Sequence, residues 1–216
     1  MIRRLLRMIL AFGQLLVARM RKPSAAANTE SEAARARVLL RLAADRQIEE
    51  AESLRSQGTK ESLLLAVESY ETALLVWRTI GMRQAESTTL NIIGAIYYSL
   101  GENQKALDFY AQALQLQRAV GDRNGEARTL NNVGMVYKSL GDYQKALDYY
   151  NQALTMIRVV GNRSGEASTL NNIGNVYRSL GERQKALDFF NQALTLARAV
   201  GNRAGEADVL KALGLV

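Results

Sequence analysis

The chain has 216 residues, 48% of them hydrophobic, with a formal charge of +7, one proline, no cysteine and no histidine. That composition excludes a disulfide framework, zinc sites built on cysteine or histidine, a serine–histidine triad and a cysteine nucleophile. No cluster of Asp and Glu marks a carboxylate metal site, so no catalytic residue, metal or cofactor is expected.

Residues 1–22 pair basic with apolar residues. Six of the 28 basic residues lie here with no acid, which leaves 22 basic against 21 acidic residues in the rest of the chain. A body so near neutrality lacks the electrostatic footprint of a nucleic-acid binder. On a helical wheel Ile2, Leu5, Leu6, Ile9, Phe12, Leu16, Val17 and Met20 share one side, with Arg3, Arg4, Arg7, Gln14 and Arg21 opposite. This predicts a basic amphipathic arm that lies on an anionic membrane surface, in an otherwise cytoplasmic protein. The uncharged stretch from Met8 to Ala18 is too short to span a bilayer. A signal peptide cut near Ala25–Ala27 and an unstructured extension are the rival readings.

Residues 23–32 read as a linker ending in helix N-cap chemistry. Residues 33–57 and 60–80 each show helical spacing, the second through Leu64, Val67, Tyr70, Ala73, Leu74 and Trp77. Together 33–81 form an expected degenerate repeat whose outer side caps the array.

A forty-residue unit then occurs three times, over 82–121, 122–161 and 162–201, and the last two copies agree at 27 of 40 positions. A regular period of this length means stacked supersecondary units, each burying its apolar face on the next. In the second copy Ala127, Leu130, Val133, Tyr137 and Leu140 follow one helical stripe. Tyr143, Ala146, Leu147, Tyr150, Ala153, Leu154 and Ile157 follow another. Gly141 between them suits a left-handed helix end, and Asp142 the next N-cap. Gly161 closes the second helix. The short link forces antiparallel neighbours, so the unit is a helix pair. Gly134 and Ala146 are small where the two helices approach. Residues 202–216 begin a fourth first-helix and then stop, with Lys211–Ala212 where earlier copies have an Asn pair.

The pattern resembles the tetratricopeptide repeat: Leu90, Ile93, Gly94, Tyr97, Gly101, Ala106, Tyr110 and Ala113 in copy one; Leu130, Val133, Gly134, Tyr137, Gly141, Ala146, Tyr150 and Ala153 in copy two; Leu170, Ile173, Gly174, Tyr177, Gly181, Ala186, Phe190 and Ala193 in copy three. The resemblance implies an all-α, right-handed superhelical solenoid of antiparallel helix pairs. The unit is longer than the usual thirty-four residues and lacks the usual proline. It is similar to kinesin light chain and Leu-Gly-Asn type adaptors, and to bacterial arrays that precede a caspase-like (CHAT) peptidase domain. The His and Cys of that peptidase have no counterpart here.

In the family so resembled, the first helix of each pair lines a concave groove. The groove stripe implied is Thr88, Asn91, Ala95 and Tyr98 in copy one, Arg128, Asn131, Met135 and Lys138 in copy two, and Ser168, Asn171, Asn175 and Arg178 in copy three. Asn132 and Asn172 flank it. An Asn carboxamide offers donors and an acceptor and pairs with an extended peptide backbone. The alternative for the same residues is hydrogen bonding between neighbouring helices. Lys138 and Arg178 favour acidic residues or a terminal carboxylate. The lysine of a chaperone-tail clamp is Asn here. The expected function is a non-enzymatic scaffold that binds an extended segment of a partner protein. The alternatives are self-assembly through 202–216, which would make a homo-oligomer, and a regulatory array acting on a separate peptidase or signalling enzyme.

Overall fold

A computed structural model describes residues 26–214. The arm over 1–22 and the terminal Leu215 and Val216 lie outside the described residues. Nine helices account for the described chain: α1 (Ala26–Ser56), α2 (Lys60–Ile80), α3 (Arg83–Ser99), α4 (Asn103–Val120), α5 (Arg123–Ser139), α6 (Tyr143–Val159), α7 (Arg163–Ser179), α8 (Arg183–Ala199) and α9 (Arg203–Leu213). No strand occurs among the described residues. Residues 26–32, placed in a linker from sequence, belong instead to α1. Ala26 and Ala27 are strong helix formers, and the residues that follow extend the helix rather than cap it. The chain divides into two compact units between Thr89 and Leu90, within α3.

In the first unit α1 and α2 close on Leu40, Ala44, Ala73, Val76, Trp77 and Ile80. Thr59 and Ser62 form a reciprocal capping box that starts α2, and Gly81 ends it at φ 72°, where a side chain would be strained. Tyr70 and Val67 are buried as their spacing predicts, whereas Leu64 is exposed. The side of α1 away from α2 carries Val38, Leu39 and Leu42, which are 57–63% exposed. An apolar outer side is not what a solvent-facing cap requires.

In the second unit each repeat is a helix pair, and one pair shows how the sequence forces the packing. Gly134 of α5 lies against Tyr150 of α6 so closely that a Cβ would fall 2.7 Å from the ring. Tyr150 is wholly buried there, beside Ala146, Leu147 and Leu154. Phe190 lies against Gly174, and Tyr110 against Gly94, in the same way. Tyr137 stacks on Tyr149 with centroids 5.3 Å apart, and Lys145 stands 5.2 Å from the Tyr137 ring. Asp142 caps α6 as expected, accepting from the Lys145 N–H at 3.2 Å. Leu140, read as a core residue from sequence, is 53% exposed. It sits at the C-cap of α5, where the stripe has rotated out of the core.

Junctions between pairs are stapled. Arg118 at the end of α4 meets Glu126 in the first turn of α5 at 2.6 Å. The same pairing recurs as Arg158–Glu166 and Arg198–Glu206, both at 2.7 Å. In the first unit Arg78–Glu86 has this geometry too. Each joins the cationic end of one helix to the acid-favouring start of the next, so both charges also oppose the local backbone dipoles.

Candidate functional site

The first helices of successive repeats (α3 from Leu90 onward, α5, α7 and α9) lie side by side, and Asn91, Asn131, Asn132 and Asn172 sit where neighbouring first helices meet. Amides tie neighbouring helices together. Asn91 donates to Thr129 Oγ1 at 2.6 Å, and Asn132 donates back to Asn91 Oδ1 at 3.3 Å. One repeat on, Asn172 donates to Asn131 Oδ1 at 3.1 Å, and the Thr169 hydroxyl lies 3.2 Å from the same oxygen. Asn91 is buried; Asn131, Asn132, Asn171 and Asn172 are partly buried. For Asn91, Asn131, Asn132 and Asn172 the helix-to-helix alternative is therefore realised: the carboxamides fix the spacing between repeats. A second polar atom has no such partner. Asn171 Oδ1 is buried without a hydrogen bond.

The remaining groove residues form a different group. Arg128 and Ser168 are exposed, and Tyr98, Met135, Lys138 and Asn175 are partly buried. Asn131 Nδ2 approaches the Met135 sulfur at 3.9 Å, which places the two on one helix face. Arg178 donates from Nη1 to the Ala212 carbonyl at 2.9 Å and from Nη2 to Asn175 Oδ1 at 2.7 Å. It thus satisfies an orphan carbonyl at the end of α9 and is itself held in place. Lys138 is half-buried. Burial holds its ammonium below the usual lysine range, and the neighbouring Arg178 charge adds to the effect. Tyr98 belongs to the packed layer around Ala106, Tyr110, Val133 and Val136, so much of its ring is structural.

Sequence reasoning missed the Arg–Glu staples, although their signal was legible: Arg118 and Glu126, Arg158 and Glu166, and Arg198 and Glu206 are each eight residues apart and recur with the forty-residue period. It also passed over Gln117, which is buried with both ends of its carboxamide unpartnered. No group of three carboxylates that could hold a metal comes together among the described residues. No helix among them is long and apolar enough to cross a membrane.

A family profile for the tetratricopeptide repeat matches residues 59–119, 84–158 and 161–216. The chain belongs to the tetratricopeptide repeat family. Its fold is an all-α solenoid of helix pairs, and the coarse function of such repeats, a protein-interaction scaffold, applies to it. No curated protein matches this tetratricopeptide repeat chain in sequence. Among solved structures it is similar to aspartyl phosphate phosphatase F from Bacillus subtilis, with a TM-score of 0.71 and 14% identity over 77% of this chain and 43% of that one. It is also similar to the Rap conjugation gene regulator of the plasmid pLS20 in complex with the Phr* peptide, with a TM-score of 0.67 and 16% identity over 77% of this chain and 45% of that one. A kinesin light chain protein of Podospora anserina with nearly identical TPR-like repeats gives a TM-score of 0.58 and 15% identity over 79% of this chain and 88% of that one. At these identities the likeness is one of fold, and the chain spans less than half of the first two proteins.

Proposed function

We propose that this tetratricopeptide repeat chain is a non-enzymatic scaffold that holds an extended segment of a partner protein along the face made by α3, α5, α7 and α9. The observation that carries this reading is the division of labour on that face. Amides at one set of positions lock the spacing of successive helices. Side chains at neighbouring positions, Arg128, Met135, Lys138 and Ser168, take no part in that ladder and retain exposed surface. A rigid backbone that presents partly exposed side chains on successive helices suits an extended chain, which can reach from one helix to the next. Preorganisation of this kind lowers the ordering cost of binding. The similar Rap regulator is seen in complex with the Phr* peptide, which supports a peptide as partner by analogy of fold. A regulatory array acting on a separate enzyme is this same mode with an enzyme as partner.

The test is site-specific photo-crosslinking in cells of origin. A benzoylphenylalanine replaces Ser168, on the proposed face of α7, or Thr155, exposed on α6. Adducts to another protein from position 168 and not from 155 are the expected result. Adducts from 155 alone would move binding to the second-helix side, and adducts only between copies of this chain would favour self-assembly.

A further inference from the structure

The outer side of α2 differs from that of α4, α6 and α8. On α6 this side carries Gln144, Lys145, Asp148, Asn151 and Thr155, and α4 and α8 repeat the same Gln, Lys and Asp. Its charges are compensated there. Gln144 donates to Asp148 at 3.1 Å, and Lys145 pairs with Asp142 at 2.7 Å. The Gln-to-Asp bond recurs on α4 at 3.0 Å and on α8 at 3.1 Å. At the same positions α2 has Leu64, Leu65, Glu68, Glu71 and Leu75. The three leucines are 42–49% exposed, and grouped apolar side chains on a surface mark a contact. Leucine in place of Gln and Lys also leaves Glu68 without its donor. Neither Glu68 nor Glu71 forms an ion pair or a side-chain hydrogen bond among the described residues. Burial, and then the Glu68 charge, hold the Glu71 carboxyl above the usual carboxylate range. Glu61 adds a third acid in the first turn. The cations of α2 stand at its ends: Lys60 is its first residue, and Arg78 pairs with Glu86.

We propose that residues 1–22 of this chain cover the α2 stripe, with their apolar side against Leu64, Leu65 and Leu75 and their cations beside Glu68 and Glu71. Charge chooses this occupant first. The segment has six basic residues and no acid, opposite in sign to the stripe. Pattern agrees: the apolar residues from Ile2 to Met20 share one side of a helical wheel, with Arg19 at its edge. Arginine stems lie along apolar surface while their heads reach carboxylates nearby. Length agrees as well. A helix of 22 residues would span about 33 Å, and the stripe from Leu64 to Leu75 covers about 16 Å. The other exposed apolar group of this unit, Val38, Leu39 and Leu42 on α1, is bordered by charges of both signs, Arg35 and Arg46 beside Asp45 and Glu49. It offers a cationic segment no net attraction. The stripe lies in the first unit on a second helix, so this inference stands apart from the binding face proposed above.

The experiment uses the purified full chain with benzoylphenylalanine at position 65, or for comparison at 145 or 39, as an equal mixture of unlabelled and heavy-nitrogen-labelled protein. Adducts are mapped by mass spectrometry after irradiation. Position 65 should give adducts to residues 1–22, and position 145, the same place on α6, should not. A Glu68→Gln, Glu71→Gln double variant should lower the yield from position 65 about threefold at low salt, as expected for partly exposed charge pairs. Circular dichroism verifies that each variant is folded. The isotope pattern shows whether the segment comes from the same copy or a second one; the stripe and its occupant are the same in either case. Three results overturn the inference: no adduct from position 65 to residues 1–22, a yield from 145 or 39 that equals or exceeds it, or a yield unchanged in the double variant.

Discussion

Asn172 donates its carboxamide N–H to Asn131 Oδ1 at 3.1 Å, and forty residues further on the donor position is occupied by Ala212. Thr169, the other group near that oxygen, is replaced by Val209. The consequence is visible at Asn171, whose Oδ1 is buried without a partner. The polar ladder stops because both of its next rungs have lost their donors.

Restoring those donors should therefore stabilise the protein. Ala212→Asn and Val209→Thr should each raise unfolding free energy by about 1 kcal/mol, the usual worth of a hydrogen bond that rescues a buried acceptor. The check is the urea midpoint at constant m-value. A midpoint that stays put or falls in both variants would mean that Asn171 is not oriented toward α9. By the same reasoning Asn172→Ala should destabilise by about 1 kcal/mol. Changes at the ladder asparagines thus report first on folding and only then on binding.

These asparagines show where the sequence stopped being readable. The helix pairs, the small residue opposite each second-helix aromatic and the glycine between helices were legible because each follows from a fixed period and a steric rule. The recurrence of Asn91, Asn131 and Asn171 at one position of the first helices was legible in the same way. The use of each side chain on those helices was not. Asn131 and Lys138 both stand on the first helix of one repeat, yet Asn131 bonds to the next helix and Lys138 makes no ion pair among the described residues, and the difference depends on what the neighbouring helix places opposite each. Leu140 failed for a local reason: the last residue of a stripe often lies past the point where the neighbouring helix still covers it.

Gln117 offers a second stability test. It is buried with neither amide end bonded, and the same position one repeat later is Ile157, which lies in the core. Gln117→Ile exchanges an unsatisfied polar group for an apolar side chain of comparable bulk. It should gain about 1–2 kcal/mol, read from thermal or urea unfolding. A loss would show that the carboxamide is satisfied by water in solution.

Gly134 and Tyr150 should respond in opposite ways. A Cβ at Gly134 would lie 2.7 Å from the Tyr150 ring. Gly134→Ala must push apart α5 and α6, at a cost of about 1–3 kcal/mol. The Tyr150 hydroxyl is buried without a hydrogen bond, and burial pushes its pKa upward, first through desolvation and then through Tyr98. Phe190 fills the equivalent space without a hydroxyl. Tyr150→Phe should therefore be neutral or stabilising by up to about 1 kcal/mol. Equal losses in both variants would contradict this account of the contact.

Tyr70 is the contrasting case, because its hydroxyl is bonded. It donates to Glu52 Oε1 at 2.5 Å, and Arg55 also donates to the Glu52 carboxylate. Burial alone would raise the Glu52 pKa. The hydrogen bonds from Tyr70 and Arg55 outweigh it, and the net shift is downward from 4.5. A carboxyl whose folded pKa lies below its unfolded value adds stability at pH above the unfolded value. That stability is lost as pH falls through the folded one. Tyr70→Phe removes one donor, raises the folded pKa and should cost about 1 kcal/mol near pH 7. It should also flatten the decline in stability below pH 4.5. The measurement is a set of urea unfolding curves for the wild type and Tyr70→Phe between pH 3 and pH 7. The two curves should converge toward the acid end, because the interaction removed by the substitution is one that acid already removes. A constant gap at every pH would mean that the Tyr70 hydroxyl stabilises α1 against α2 independently of the Glu52 charge.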